Sequence, residues 1–313
     1  MRAALPDRAD IEAAAQRISG RVRRTPVLEI DGHDLGVPGR VVLKLELTQH
    51  TGSFKARGAL NSVLSLPPGT TGVVAASGGN HGAAIAWASK LAGLVADVFV
   101  PATSPAEKVE RIRGHGATAH VVEGFYPEAL AASRQWAEGR SVATVHAYDQ
   151  PSTVCGAGTV GLEIASQVPE AGLVLVACGG GGLYAGTALA LRGTAQVLPV
   201  EPRLCANLAR AQAAGHPVPI EVSGVAADSL GAEKVGELAF ATAAALQTSP
   251  VEVGDDDIIA ARSWLWQHCR ILAEPGAAAA LAALQSGAVR VETGETVVVV
   301  VSGGNNPSIP PPM

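Results

Sequence analysis

The amino-acid sequence predicts an α/β protein in which parallel sheets are covered on both faces by helices. Short β-branched runs alternate with Ala-rich helical stretches almost from end to end. The strand runs are apolar throughout, which is typical of strands buried on both faces of a parallel sheet. Several of them lead directly into glycines that are followed by a helix. This order of elements favours a doubly wound architecture.

The individual elements follow from these runs in chain order. The predicted strands are 41–47, 72–77, 95–100, 117–122, 173–178, 195–200 and 296–301. The first predicted helix opens at Ser53 and ends at Leu64, with its apolar positions spaced for a helix. Further helices are predicted at 80–92, 105–113, 127–138, 159–168, 183–192, 256–269 and 276–285.

The spacing of these elements also predicts two domains. A chain of 313 residues is long enough for one large domain or two moderate ones. Strand, helix, strand, helix and strand follow one another regularly over 72–122. We therefore expect a small domain at 67–148, inserted into a large domain formed by 1–66 and 149–313.

Composition excludes several classes of protein. Charged residues make up 16% of the chain, the net charge is -5, and no basic cluster could neutralise a nucleic-acid backbone. No apolar run approaches the roughly 20 residues that span a bilayer. The N-terminal stretch MRAALPDRADIEAAAQRI is too acidic for a targeting segment. The 4 cysteines form no C-x-x-C pair, so reduced thiols and a cytoplasmic location are expected.

Lys55 stands in the first turn of the predicted helix at 53–64. The N-terminal end of a helix carries partial positive charge, so a cation is mildly disfavoured there. An ammonium group in such a place has a lowered pKa and is more often a free, nucleophilic amine. Lys55 is therefore a candidate for forming a Schiff base.

The stretch LVLVACGGGGLYAG, 173–186, predicts a phosphate-binding loop. A buried strand leads into four consecutive glycines and then a helix, so bare backbone amides converge at a positive helix start. A turn without a ligand explains four successive glycines poorly, because each one adds entropy to the unfolded chain. Gly180, Gly182 and Ala185 also satisfy G-x-G-x-x-A, and Glu201 follows about 20 residues on, so a dinucleotide is an alternative ligand.

Two other strand ends carry polar groups. In AASGGNHG, 75–82, Ser77, Asn80 and His81 accompany exposed amides, which suits a carboxylate or a phenolic oxygen. In VVVVVSGGNNP, 297–307, a strand delivers Ser302 to its carboxyl end, where ligands bind in open α/β sheets. A nicotinamide dinucleotide would use only the glycine loop. Pyridoxal phosphate would also use the lysine and the two polar strand ends.

Six motifs resemble the serine/threonine dehydratase and serine racemase family of pyridoxal-phosphate enzymes. Between about Thr25 and Asn305 they read KLELTQHTGSFKARGA, SGGNHG, GAGTVGLE, CGGGGLYAG, EPGAAAALAAL and SGGNNP. The resemblance implies a tryptophan synthase β-subunit-like fold, with the cofactor in the cleft between two domains. It also implies a dimeric ammonia lyase that converts L-threonine or L-serine into 2-oxobutanoate or pyruvate.

The resemblance also implies a role for each site residue. Lys55 is the Schiff-base lysine, with Phe54 packing on the cofactor ring, and Ser302 faces the pyridine nitrogen. Glu274 lines the cofactor cleft, and Asn80 bonds the phenolic oxygen. The substrate carboxylate is received by the loop that carries Ser77, Asn80 and His81. The phosphate is held by Gly179, Gly180, Gly181, Gly182 and the amide of Leu183.

The chain departs from the family pattern at positions that bear on activity. Racemases of the family have a second serine that supplies a proton to the opposite face of the substrate, where this chain has Gly78. We therefore expect elimination to be much faster than racemisation. Some relatives bind a divalent cation through a Glu and an acidic residue six positions later. Here these positions are Glu201 and Asn207, weak candidate ligands. The loss of one anionic ligand weakens such a site without abolishing it, so a divalent cation is disfavoured but stays open.

Three other functions stay open at this point. A racemase or a β-replacement enzyme would share the fold and the cofactor. A nicotinamide-dependent oxidoreductase would use only the glycine loop. A relative without catalytic activity is disfavoured, because Lys55, Asn80 and Ser302 are all present.

Overall fold

The structure is a computed structural model and describes residues 4–310. Its strands are β1 (Val27–Ile30), β2 (Arg40–Lys44), β3 (Gly72–Ala76), β4 (Val95–Pro101), β5 (Thr118–Val122), β6 (Val142–Thr144), β7 (Ala171–Ala177), β8 (Gln196–Pro202), β9 (Val251–Val253) and β10 (Thr296–Val300). They form a six-stranded sheet in the order β1-β2-β10-β7-β8-β9 and a four-stranded sheet in the order β5-β4-β3-β6. All neighbouring strands are parallel except β1 and β2.

The helices cover both faces of these sheets. They are α1 (Arg8–Ile18), α2 (Lys55–Leu64), α3 (Asn80–Ala92), α4 (Ala106–Gly114), α5 (Tyr126–Ala137), α6 (Pro151–Gln167), α7 (Gly182–Ala190), α8 (Asn207–Ala214), α9 (Ala227–Leu230), α10 (Glu237–Leu246), α11 (Asp255–Cys269) and α12 (Pro275–Gln285). Among residues 4–310, no helix is both long enough and apolar enough to cross a bilayer.

The core of the larger sheet follows from the period-two alternation of its strands. In β10, Val298 and Val300 point to the face that packs against α1, α6 and α7, whereas Val297 and Val299 point to the face that packs against α11 and α12. Both faces are therefore buried, which is why the central positions of these strands are apolar.

The predicted fold class is confirmed. Each of the seven predicted strands and each of the eight predicted helices overlaps an observed element. Strands β1, β6 and β9 were not predicted, because runs of three or four residues carry little periodicity. The strands at 72–144 form the four-stranded sheet, but the boundaries 67–148 for the inserted domain stay a prediction.

Two of the predicted helices begin two or more residues away from their predicted starts. Helix α2 begins at Lys55, because Ser53 is extended (φ -161, ψ 161) and pairs with Gly303 in an isolated bridge. Helix α6 begins at Pro151, not at residue 159, and contains Gly156 in its interior. A Cβ at Gly156 would lie 2.6 Å from the Arg57 carbonyl oxygen, so a close approach of α6 to α2 requires this glycine.

Candidate active site

A cavity of about 620 Å³ opens where the carboxyl ends of strands from both sheets meet. The sequence-predicted cofactor and substrate residues all lie on its wall, although their roles stay predictions. These residues are Phe54, Lys55, Ser77, Asn80, His81, Gly179, Gly180, Gly181, Gly182, Leu183, Glu274 and Ser302. Residues more than 200 positions apart are thus collected around one space.

Lys55 projects from the first residue of α2 into this cavity. Its Nζ donates a hydrogen bond of 2.7 Å to the carbonyl oxygen of Ala147 and lies 5.0 Å from the centre of the Phe54 ring. Burial lowers the pKa of Lys55 to about 8, because an ammonium group loses more solvation than an amine. The lowered pKa has the expected direction, and burial is its main cause.

The backbone before Lys55 is held by the end of β10. The amide of Phe54 donates to the carbonyl oxygen of Ser302 at 3.0 Å, next to the bridge between Ser53 and Gly303. The amide of Leu47 donates to the carbonyl oxygen of Val301, the residue before Ser302, at 3.0 Å. The strand end that presents Ser302 therefore also places the lysine.

A buried network of four charges holds the other side of α2. The Arg57 guanidinium donates to both oxygens of Glu46 at 2.8 Å and to Glu163 at 2.7 Å. Lys44 Nζ donates to the second oxygen of Glu163 at 2.5 Å. Burial would raise the pKa of Glu163, but the bonds from Arg57 and Lys44 outweigh it and lower that pKa. The two cations and the two carboxylates carry no net charge together, and buried charges need such pairing.

Sequence reasoning did not assign this network a role. A signal for it was present in the sequence near Lys55. The segments KLEL and SFKAR place Lys44, Glu46 and Arg57 among residues that are otherwise apolar or small. Charges in such runs are seldom fully buried unless they are paired.

The loop after β7 presents backbone amides only. Gly181, the N-cap of α7, has φ +85, which favours glycine. The amides of 179–183 donate to no acceptor among the residues described. Five free donors at the positive end of α7 suit a phosphate in number and in chemistry.

The glycines of this loop also have a packing role that the sequence did not reveal. A Cβ at Gly180 would overlap the ring of Tyr148, and one at Gly182 would lie 2.7 Å from the Tyr148 carbonyl oxygen. Close packing therefore accounts for more of the glycines than expected. It is the set of free amides, rather than the number of glycines, that supports an anion site.

Asn80 and Glu274 meet across the cavity. Asn80 Nδ2 donates to the two carboxylate oxygens of Glu274 at 2.9 and 3.0 Å, and Asn80 Oδ1 accepts from Asn305 Nδ2 at 2.8 Å. Burial raises the pKa of Glu274. A ring oxygen bound by Asn80 would have to share the amide group with these two partners.

His81 lies on the cavity wall, but its ring is bound to the protein. Its Nε2 lies 3.0 Å from the carbonyl oxygen of Val145, which makes the ring a neutral donor there. Burial, with a smaller effect of the Lys55 charge, lowers the pKa of His81 to about 3. The ring therefore stays neutral near pH 7, with its single proton in the hydrogen bond to Val145. In the same turn, Ser77 Oγ accepts from the Gly79 amide at 3.2 Å.

The candidate metal ligands, Glu201 and Asn207, lie outside this cavity. The Glu201 carboxylate accepts from the amides of Leu208 at 2.7 Å and Ala209 at 3.0 Å, so it caps α8. Burial raises the pKa of Glu201 to about 7. Glu201 thus faces the start of α8, where it cannot bind the ribose of a dinucleotide in the cavity. Within 4–310, no group of three or more His, Cys, Asp or Glu could hold a metal ion.

Comparison with known proteins agrees with this geometry. Residues 18–303 match the family described as pyridoxal-phosphate dependent enzyme. L-threonine ammonia-lyase of Geobacter sulfurreducens is 35% identical over 302 residues, which cover 94% of this chain and 74% of that protein. The structure of maize serine racemase has a TM-score of 0.91 at 31% identity and covers 97% of this chain and 94% of its own. The crystal structure of T.th. threonine deaminase has a TM-score of 0.88 at 33% identity, covering 96% and 99%.

Proposed function

Because the chain belongs to the pyridoxal-phosphate-dependent enzymes, we propose that it eliminates ammonia from L-threonine, L-serine or both. The products are 2-oxobutanoate and pyruvate, respectively. The observation that carries this proposal is the buried amine of Lys55, with a pKa of about 8, in one cavity with the free amides of 179–183 and the turn at 77–81. The names of the similar proteins, threonine ammonia-lyase and serine racemase, support a small β-hydroxy amino acid as the substrate.

The chemistry of the cavity fits pyridoxal 5'-phosphate. Lys55 would hold the cofactor covalently, the amides of 179–183 would bind its phosphate, and Ser302 would face its ring nitrogen. Phe54 would pack on the ring, and Asn80 would bind the phenolic oxygen. When bound, the cofactor withdraws electrons from the bonds at the substrate α-carbon. A divalent cation is not part of this proposal, because both oxygens of the Glu201 carboxylate accept hydrogen bonds from the amides of Leu208 and Ala209.

The chain's own groups account for substrate orientation and proton transfer. The substrate carboxylate would lie against the turn at 77–81, where amides at the start of α3 favour an anion. The amine of Lys55 would take the proton from the α-carbon, and its pKa of about 8 lets it accept and return a proton near neutral pH. His81 would stay neutral and hold the turn against Val145.

The experiment is a product assay with a panel of β-hydroxy amino acids. We expect equal amounts of ammonia and 2-oxo acid from L-threonine or L-serine, and a visible absorption band of the bound cofactor. Reduction with borohydride followed by peptide mapping should locate the cofactor on Lys55. Absence of the band, together with substrate-dependent reduction of a nicotinamide, would instead support the oxidoreductase.

We also propose a cytoplasmic homodimer. The four free cysteines of the structure fit a reducing compartment, and dimers are expected from the family resemblance. Sedimentation of the purified protein measures its oligomeric state, and a monomer at all concentrations would contradict the dimer.

A further inference from the structure

The hydroxyl of Ser104 occupies the space beside Gly78. A Cβ built on Gly78 would overlap Ser104 Oγ and would lie 2.8 Å from Ser104 Cβ. A side chain at position 78 is therefore excluded while Ser104 is in place. This part of the cavity therefore has a hydroxyl even though Gly78 has no side chain. Ser104 supplies it from the end of a different strand.

Ser104 and Lys55 approach the turn at 77–81 from opposite sides. In the four-stranded sheet, β3 lies between β4 and β6. Ser104 follows β4 by three residues, and Ala147, which binds Lys55 Nζ, follows β6 by three residues. Two inter-strand spacings of about 4.8 Å separate these strand ends. A substrate held by the turn after β3 would thus have the amine on one side and the hydroxyl on the other.

The surroundings of Ser104 suit a hydroxyl that exchanges protons. Ser104 is half-buried and lines the cavity, and its backbone is fixed by a bond of 2.9 Å from its amide to the Pro101 carbonyl oxygen. It precedes α4 by two residues, so the positive helix end stabilises transient negative charge on the oxygen. Lys108, one turn on, also lines the cavity and is paired with Asp228.

We propose that Ser104 is a catalytic residue that transfers a proton at the substrate α-carbon on the side opposite Lys55. Lys55 removes the proton from one face, and the Ser104 O–H bond breaks as a C–H bond forms on the other face. Water then accepts the proton held by Lys55 and returns one to the Ser104 oxygen, so both groups regain their starting states. No atom is oxidised or reduced, and the configuration is inverted. The protein would then racemise serine in addition to eliminating ammonia from it. This inference rests on the proposed function, since both reactions begin with loss of the same proton.

The first test measures racemisation in Ser104→Ala. Holoenzyme is incubated with L-serine in deuterium oxide, and D-serine, α-deuterium and pyruvate are quantified. We expect D-serine from the natural protein and at least about a tenfold fall in the ratio of racemisation to elimination in the variant, since a positioned acid contributes about 100-fold or more. An unchanged ratio would overturn the role of Ser104.

A second test moves the hydroxyl between the two positions. Gly78→Ser alone should lower the melting temperature, because its side chain collides with Ser104. The double variant Gly78→Ser, Ser104→Ala removes the Oγ overlap, so it should recover much of the lost stability and of the racemisation. Equal melting temperatures for the single and double variants would contradict the spatial argument, whatever the activity.

The two proposals fail separately. Pyruvate without any D-serine from the natural protein would overturn the role of Ser104 and leave the proposed elimination standing. D-serine without pyruvate, and without 2-oxobutanoate from L-threonine, would overturn the elimination and support Ser104. If neither D-serine nor a 2-oxo acid forms from either amino acid, both proposals are wrong, and the melting temperatures still report whether Ser104 occupies the space beside Gly78.

Discussion

The turns after β3 and after β7 share one local plan, strand then glycines then helix, yet they present different chemistry. The turn at 77–81 carries Ser77, Asn80 and His81, and each of these side chains has a hydrogen-bond partner within the protein. The turn at 179–183 presents amides alone. The difference lies in what packs outside each turn. Tyr148 leaves no space for side chains at Gly180 and Gly182. In the turn at 77–81, Ser104 confines Gly78 in the same way, but a Cβ at Gly79 would meet nothing within 4 Å.

The largest effect is expected from Lys55→Ala, which removes the amine that both turns face. Turnover should fall by more than about 10³-fold, because the nucleophile and the base at the α-carbon are lost together. Product assay and borohydride reduction measure this. Lys90→Ala, an exposed lysine on α3, is the matched control. Lys44 is unsuitable as a control, because it is buried against Glu163. A reducible adduct in the Lys55 variant would show that the lysine is misassigned.

Arg57→Met should have the next largest effect, a loss of folding stability. Glu46 and Glu163 would keep their buried charges without their main partner. We expect a destabilisation of about 3–5 kcal/mol in the free energy of unfolding, measured by urea denaturation. The control is Arg40→Met, whose partners Glu29 and Glu170 are exposed and which should cost about 0–1 kcal/mol. Equal losses for the two variants would mean that the buried network is not a distinct stabilising feature.

Gly182→Ala tests the comparison of the two turns directly. The added Cβ would lie 2.7 Å from a backbone oxygen of Tyr148, so the loop must shift, at a cost of about 1–3 kcal/mol. Cofactor affinity should weaken with it, which a titration followed by visible absorption detects. Gly79→Ala should cost less on both measures. If it costs as much, the argument that packing distinguishes the two turns is wrong.

The last effect, which is the smallest at neutral pH, concerns acid stability. Burial lowers the pKa of His81 from 6.5 to about 3 in the folded protein, so only the unfolded state binds this proton between those values. The contribution of His81 to stability is therefore complete above about pH 6.5 and is lost as the pH falls toward about 3. His81→Gln, which can still donate to Val145, should flatten the decline of melting temperature with acid. The exposed His216→Gln is the control, and equal slopes for both variants would contradict the assignment.

The sequence by itself determined the longer strands and several of the helices, the glycine turns and the candidate residues that line one cavity. Apolar runs, helix periodicity and glycines after strands are local features that can be read from the sequence. Parallel strands place their carboxyl ends at one edge of a sheet, so the sequence also predicted that Lys55, Asn80 and Ser302 lie close together.

Only the tertiary structure decided how these groups are used. Ser53 leaves the helix because it pairs with Gly303, the ring of His81 is held by Val145, and Glu201 caps α8. Ser104 takes the space at Gly78 from a different strand end. Several of these contacts join residues far apart in the chain, and each depends on packing density and hydrogen-bond geometry that no local pattern encodes. The hydrogen-bond and packing partners of a side chain are therefore fixed only once the chain has folded.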